Sequence, residues 1–130
     1  MTACRRSRAA LRSRCMSAAL PLLVIGAGPL GLAVAKAFRE AQIPYEQAEA
    51  TDHVGGNWAH GVYTTAHIIS SKRTTEFPDW PMPADNPDFP SADQMRRYYE
   101  AFTDAHGLRS SIRFLSAVTE VRYEADRTWS

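Results

Sequence analysis

The sequence predicts an α/β fold, the opening of a doubly wound sheet of parallel strands, and three observations predict it. A short apolar run at residues 22–27 ends in a glycine-rich turn. A stretch of helical periodicity follows over 29–40. A second strand-like stretch at 44–49 comes directly after it. The order strand–helix–strand is the unit from which parallel sheets with covering helices are built.

Each element has a local reason. Leu22 to Ala27 is continuously apolar apart from Gly26, the pattern of a parallel strand buried on both faces. Pro29 suits a first helical turn, and Leu30, Val34, Ala37 and Phe38 recur at helical spacing. Pro44 forbids continuation. The strand at 44–49 has Tyr45 as its one bulky apolar residue, and Gly55-Gly56 marks a loop. From Ala59 to Pro90 no long periodic element is present. Pro78, Pro81, Pro83, Pro87 and Pro90, with Tyr63, Phe77, Trp80 and Phe89, describe an irregular excursion that packs on the body. Ser91 and Gln94 make a capping box. Met95, Tyr98, Tyr99 and Phe102 then share one helix face, and Gly107 closes the helix. Ile112–Leu115 reads as a short strand, and Ala117–Tyr123 alternates as a half-buried strand does. The last residues read as part of a new hairpin, so an incomplete sheet is expected.

Composition narrows the class. The 130 residues suffice for one domain or part of one, with an apolar fraction of 45% and a charged fraction of 22%, as in ordinary soluble proteins. The net charge of +1 gives no reason to expect nucleic-acid binding. It averages two unlike parts. Residues 1–20 hold Arg5, Arg6, Arg8, Arg12 and Arg14 and no carboxylate, whereas the remainder carries ten Lys and Arg against fourteen Asp and Glu.

Residues 1–19 are therefore read as an Arg-rich extension, expected to be disordered, and residues 20–130 as the body. Three readings fit the extension: an organelle transit peptide, a signal anchor, or a non-structural stretch ahead of an alternative start at Met16. Met16–Ala35 is uncharged and long enough for a bilayer, but Pro21, Gly26, Gly28, Pro29 and Gly31 break it, which argues against a membrane. Both cysteines, Cys4 and Cys15, lie in the extension, so the body has no disulfide and a cytoplasmic setting is expected. His53, His60, His67 and His106 form no familiar ligand spacing, so no metal is expected.

The chemistry lies in Gly26-Ala27-Gly28-Pro29-Leu30-Gly31, a G-x-G-x-x-G in its required context between strand and helix. Gly26 permits the tight turn, Gly28 lets backbone approach a pyrophosphate, and Gly31 lets helix and strand pack closely. The helix N-terminus offers N–H groups and partial positive charge to the phosphates. This makes the unit Rossmann-like. Glu49, 23 residues past Gly26, stands where a carboxylate accepts from a ribose hydroxyl and repels a 2′-phosphate; Glu46 is its competitor. The nucleotide so far is NAD or FAD. A second glycine pair, in Val54-Gly55-Gly56-Asn57-Trp58, favours FAD.

With these motifs in register the sequence resembles the flavin-containing monooxygenases, over about residues 20–125. The resemblance rests on the glycine turn with Leu32, on Glu49 followed by Gly55-Gly56-x-Trp58, and on Tyr63 and Ser71-Lys72. It extends through Phe77-x-Asp79-Trp80-Pro81-Met82-Pro83, Pro87-x-Phe89-Pro90 and the Tyr98-Tyr99 helix. Ile112-x-Phe114 and Val118-x-x-Val121 complete it.

The resemblance implies non-covalent FAD. Gly26, Ala27, Gly28, Pro29 and Gly31 would lie at its pyrophosphate and Glu49 on its adenosine ribose. Gly56, Asn57 and Trp58 would run along it, Ser71 and Lys72 would stand toward the flavin, and Val118 would meet the adenine through its backbone. It further implies a monooxygenase that draws electrons from NADPH and places one oxygen of O₂ on a soft nitrogen or sulfur of a small molecule. The NADPH-binding glycine motif is absent from these 130 residues. The expectation is thus an FAD-binding portion truncated before the NADPH domain and inactive alone. Later strands in the family complete the sheet. Where many members have Asn two residues before the Ser-Lys pair, this chain has Ile69. His67 is the one tempting acid–base residue, and no catalytic residue is assigned. Another FAD-dependent oxidoreductase and a non-catalytic nucleotide-binding remnant remain as alternatives.

Overall fold

The computed structural model describes residues 22–130. The Arg-rich extension and both cysteines lie outside the described residues. The chain runs β1 (Leu22–Ile25), α1 (Pro29–Glu40), β2 (Tyr45–Ala48), α2 (Asn57–His60), α3 (Lys72–Thr75), α4 (Ala92–Ala105) and β3 (Ile112–Arg113). The three strands form one parallel sheet in the order β1-β2-β3. This is the expected α/β architecture, with β2 central and α1 the crossover from β1 to β2.

Strand register explains which face is buried. Val24, Gln47 and Ile112 are partners across the three strands and form the inner row. That row faces a core of Leu32 and Ala35 from α1, Val54, Ile68 and Met82 from the loops, and Met95, Tyr98, Tyr99 and Phe102 from α4. Each side chain so buried contributes about 1.5–3 kcal/mol before entropy is charged against it. Among the described residues the other face is largely open, with Leu23 and Ile25 50–55% exposed, and Leu22 at the strand start is also 47% exposed. The apolar run is therefore not a strand buried on both faces: only Val24 of β1 is buried.

Helix α1 has the predicted limits but not the predicted face. Leu32 and Ala35 are buried, whereas Leu30 and Val34 point outward. The inner face combines Leu32 with the small Ala35, and Gly31 beside them sits against the Gly26 carbonyl. Helix α4 matches on both counts. Ser91 Oγ accepts from Gln94 N, Gln94 Oε1 accepts from Ser91 N, and the four apolar residues of its stripe are all buried.

The half-buried strand expected at 117–123 does not form. Val118, Val121 and Tyr123 are 37–59% exposed, and no neighbouring strand offers them a ladder. Instead Arg122 and Ser130 exchange backbone hydrogen bonds of 2.9 Å, and the Tyr123 and Trp129 rings meet at 4.9 Å. The expected 112–115 strand is shortened to two residues, and Leu115 turns away with φ +53°. Residues 61–90 are irregular, as expected. Tyr98 pins them: its hydroxyl accepts from Phe77 N at 2.7 Å and donates to the Trp80 carbonyl at 2.6 Å.

Candidate functional site

The carboxyl ends of the strands open onto a cleft of about 400 Å³. Its floor is the turn from β1 into α1, contributed by Gly26, Gly28, Pro29 and Gly31. Its wall is Gly56, Asn57 and Trp58, the loop entering α2. Seven residues singled out in the sequence thus meet at one place, although 25 positions separate Gly31 from Gly56. Strand ends of an open parallel sheet are where such folds hold ligands.

The turn is tightly built. Gly26 N–H donates to Ala48 O at 2.7 Å, tying it to β2. The Gln47 amide reaches under it and donates to Gly26 O at 2.9 Å. Gln47 is fully buried, and among the described residues its Oε1 has no hydrogen-bond partner. Sequence reading missed this residue; the available signal was a lone amide on the inner register of a strand. Gly55 N–H donates to Ala27 O at 2.9 Å and joins the second loop to the first.

The glycines differ in what requires them. A Cβ on Gly31 would lie 2.1 Å from Gly26 O, so the fold itself demands glycine there. Gly56 has φ +58° and sits against the Gly28 backbone. Gly28 has ordinary extended angles, φ −74° and ψ −177°. A Cβ there would meet only Gly56 Cα, at a comfortable 3.8 Å. Among the described residues no internal contact explains glycine at 28, which lines the open cleft. Gly28 is also the N-cap of α1, with no side-chain cap and no carboxylate in the first turn. The first N–H groups of a helix have no intrahelical acceptor.

Glu49 stands at the end of β2, buried, with its carboxylate turned to the same turn. Oε2 accepts from Ala27 N at 2.6 Å, and Oε1 accepts from Thr51 N at 2.8 Å and Thr51 Oγ1 at 2.9 Å. Burial pushes its carboxyl up, but the hydrogen bonds from Thr51 and Ala27 outweigh this and hold it below the usual range. The backbone N–H of Ala50 lies beside the same carboxylate, so Glu49 is held from several sides at once. Glu46, the competitor, is exposed and pairs with Arg113 at 3.4 Å.

The remaining residues lie apart from the cleft walls. Lys72 turns its ammonium to the Ala84 carbonyl at 3.2 Å and to the Asn86 carbonyl, so its charge braces the excursion. Ser71 caps α3 and shares a hydrogen bond with Thr74. Ile69 is 99% exposed and His67 is exposed, with Nδ1 beside Thr65 O. Val118 is two residues past Ser116, whose N–H donates to Glu49 O at 2.8 Å, so the chain passes beside the end of β2. One further cluster was not anticipated. Asp52 pairs with His53, and His53 Nε2 lies 2.9 Å from His60 Nδ1.

Comparison with known proteins bears on this geometry. A family model of flavin-binding monooxygenase-like proteins matches residues 20–130. Indole-3-pyruvate monooxygenase YUCCA1 of Oryza sativa subsp. japonica is 34% identical over 103 residues, covering 79% of this chain and 25% of that protein. Flavin-containing monooxygenase 3 of Rattus norvegicus is 32% identical over 107 residues, covering 75% of this chain and 20% of that protein. The solved structure of OTEMO in complex with FAD and NADP superimposes with a TM-score of 0.75 at 29% identity, over 85% of this chain and 22% of that one. The S-allyl-L-cysteine S-oxygenase from Allium sativum shares the fold, with a TM-score of 0.75 at 20% identity. The chain spans a quarter or less of the length of these curated relatives.

Proposed function

Because the chain belongs to the flavin-binding monooxygenase-like family, we propose that its glycine turn holds the pyrophosphate of FAD and that the chain supplies the FAD-binding part of a monooxygenase. Gly28 carries this reading, being a glycine that the protein's own packing does not require. The first-turn N–H groups of α1 would bind the phosphates, with Gly56, Asn57 and Trp58 along the cofactor. Glu49 would accept from the adenosine ribose, and the backbone near Val118 would meet the adenine. Ser71 and Lys72 would hold the segment that faces the flavin, Lys72 by bracing carbonyls and not by touching the cofactor. Bound FAD supplies the redox chemistry of an oxygenation driven by NADPH and O₂ on a soft nitrogen or sulfur of a small molecule. The protein's share is to bind, orient and keep water out. We place the activity in the cytoplasm; among the described residues no helix is long and apolar enough to cross a membrane.

The test is equilibrium titration with FAD, FMN and ADP, followed by flavin fluorescence. FAD binds and ADP displaces it, because the site reads the adenosine diphosphate half; FMN, which lacks that half, binds at least tenfold more weakly. A folded chain that binds FMN as well as FAD, or neither, contradicts the proposal.

A further inference from the structure

The loop that walls the cleft carries a feature unrelated to nucleotide. His53 and His60 stand seven positions apart on either side of Gly55-Gly56. Their rings meet edge to face, 4.7 Å between centroids and 81° between planes, with His53 Nε2 2.9 Å from His60 Nδ1. On the far side of the His53 ring, Nδ1 pairs with the Asp52 carboxylate. A neutral His53 that donates from Nδ1 to Asp52 has its lone pair on Nε2, where it accepts from His60 Nδ1. A carboxylate behind one imidazole is the arrangement that orients histidine ligands in metal sites.

We infer that His53 Nε2 and His60 Nδ1 form a two-nitrogen clamp for a divalent transition-metal ion of the Zn²⁺ type, with Asp52 orienting His53. Imidazole nitrogens select that class of ion over Mg²⁺ or Ca²⁺. Two nitrogens bound at about 2.0–2.1 Å in tetrahedral geometry stand about 3.3 Å apart. The pair at 2.9 Å is within a few tenths of an ångström of that spacing. His60 is exposed at the end of α2 and has room to swing. Its proton moves from Nδ1 to Nε2 as the ion enters, so the pair releases none. Among the described residues no three His, Cys, Asp or Glu side chains converge on one point. The protein thus gives two ligands, and water completes the shell. The bound ion ties Asp52 and His53 to the end of α2, closing a ring around Gly55 and Gly56. The site does not depend on the flavin reading.

The experiment is a Zn²⁺ titration of the ¹⁵N-labelled full chain, followed by long-range ¹H–¹⁵N spectra of the imidazoles. His53 Nε2 and His60 Nδ1 are expected to shift together and saturate at one ion per chain, while His67 and His106 stay unmoved. His60→Gln, on an exposed side chain whose amide still reaches His53, keeps the melting temperature and weakens Zn²⁺ binding at least tenfold. His106→Gln binds as the wild type does. Shifts that fall on His67 or His106, or a His60→Gln chain that binds Zn²⁺ unchanged, overturn the inference.

Discussion

Gly31 and Glu49 set the shape of the nucleotide turn from opposite sides, and each can be tested alone. Gly31→Ala places a Cβ 2.1 Å from the Gly26 carbonyl, a backbone atom that Gln47 and the β2 ladder hold in place. It should cost about 3 kcal/mol or more and abolish a cooperative melt. Glu49→Gln keeps the shape but removes the charge that accepts from Ala27 and Thr51. Hydrogen bonds to a charged group are worth about 1.5–3 kcal/mol in total effect on removal, and a loss of that order is expected at pH 7. The pH dependence has a definite sign. A carboxyl held below its ordinary value of 4.5 when folded contributes stability above that value. The contribution fades as pH falls from there through the folded value. Wild-type stability, followed by denaturant midpoint, should therefore fall below about pH 4.5, and the Glu49→Gln chain should show a flatter profile over that range. Equal slopes would mean that Glu49 is not the clamp described.

At the scale of elements, the excursion between α2 and α4 depends on Tyr98. Burial pushes its phenol up to about 12, and its hydroxyl serves Phe77 N and Trp80 O at once. Tyr98→Phe strands both groups and should cost about 1–3 kcal/mol in urea denaturation, with α4 helicity retained. Ser91→Ala opens the capping box and should cost about 1 kcal/mol. The elements that sequence reading found are those with local causes. The capping box, the limits of α1 and the glycine turn ahead of it have their causes within a few residues. The misread ones depend on partners. Residues 117–123 have strand-like alternation, yet with no ladder beside them they stay extended and exposed. The face of α1 was misjudged because Leu30 and Leu32 are alike as apolar residues, and only the packing of the helix on the sheet decides that Leu32 and Ala35 turn inward while Leu30 and Val34 turn out. The His53–His60 contact bridges a turn whose geometry no spacing rule supplies. The glycine turn was legible because Gly26, with its positive φ, and Gly31, against the Gly26 carbonyl, answer to backbone geometry that local sequence dictates. Gln47 was not, because its role appears only when β2 is laid beside β1.

At the scale of the molecule, one face of the sheet is packed and the other, among the described residues, is largely open. Leu22, Leu23 and Ile25 of β1, with Leu30 and Val34 of α1, leave apolar surface open beside an edge strand. Such edges recruit other chains. Leu23→Lys, on the open face, should raise the monomeric fraction several-fold in light scattering and leave the melting temperature within a degree or two. Unchanged association would place the sticky surface elsewhere.

The central claim is that a folded chain keeps Gly28 open for the FAD pyrophosphate. The most direct measurement is the melting temperature of wild type and Gly28→Val, each with and without FAD at a hundredfold excess over the wild-type Kd. Binding then adds about 2.7 kcal/mol to the wild type, a rise on the order of 10 °C for a domain of this size. Gly28→Val should melt within a few degrees of the wild type without FAD, and FAD should not raise it. A Gly28→Val chain that FAD stabilises as strongly as the wild type would contradict the account.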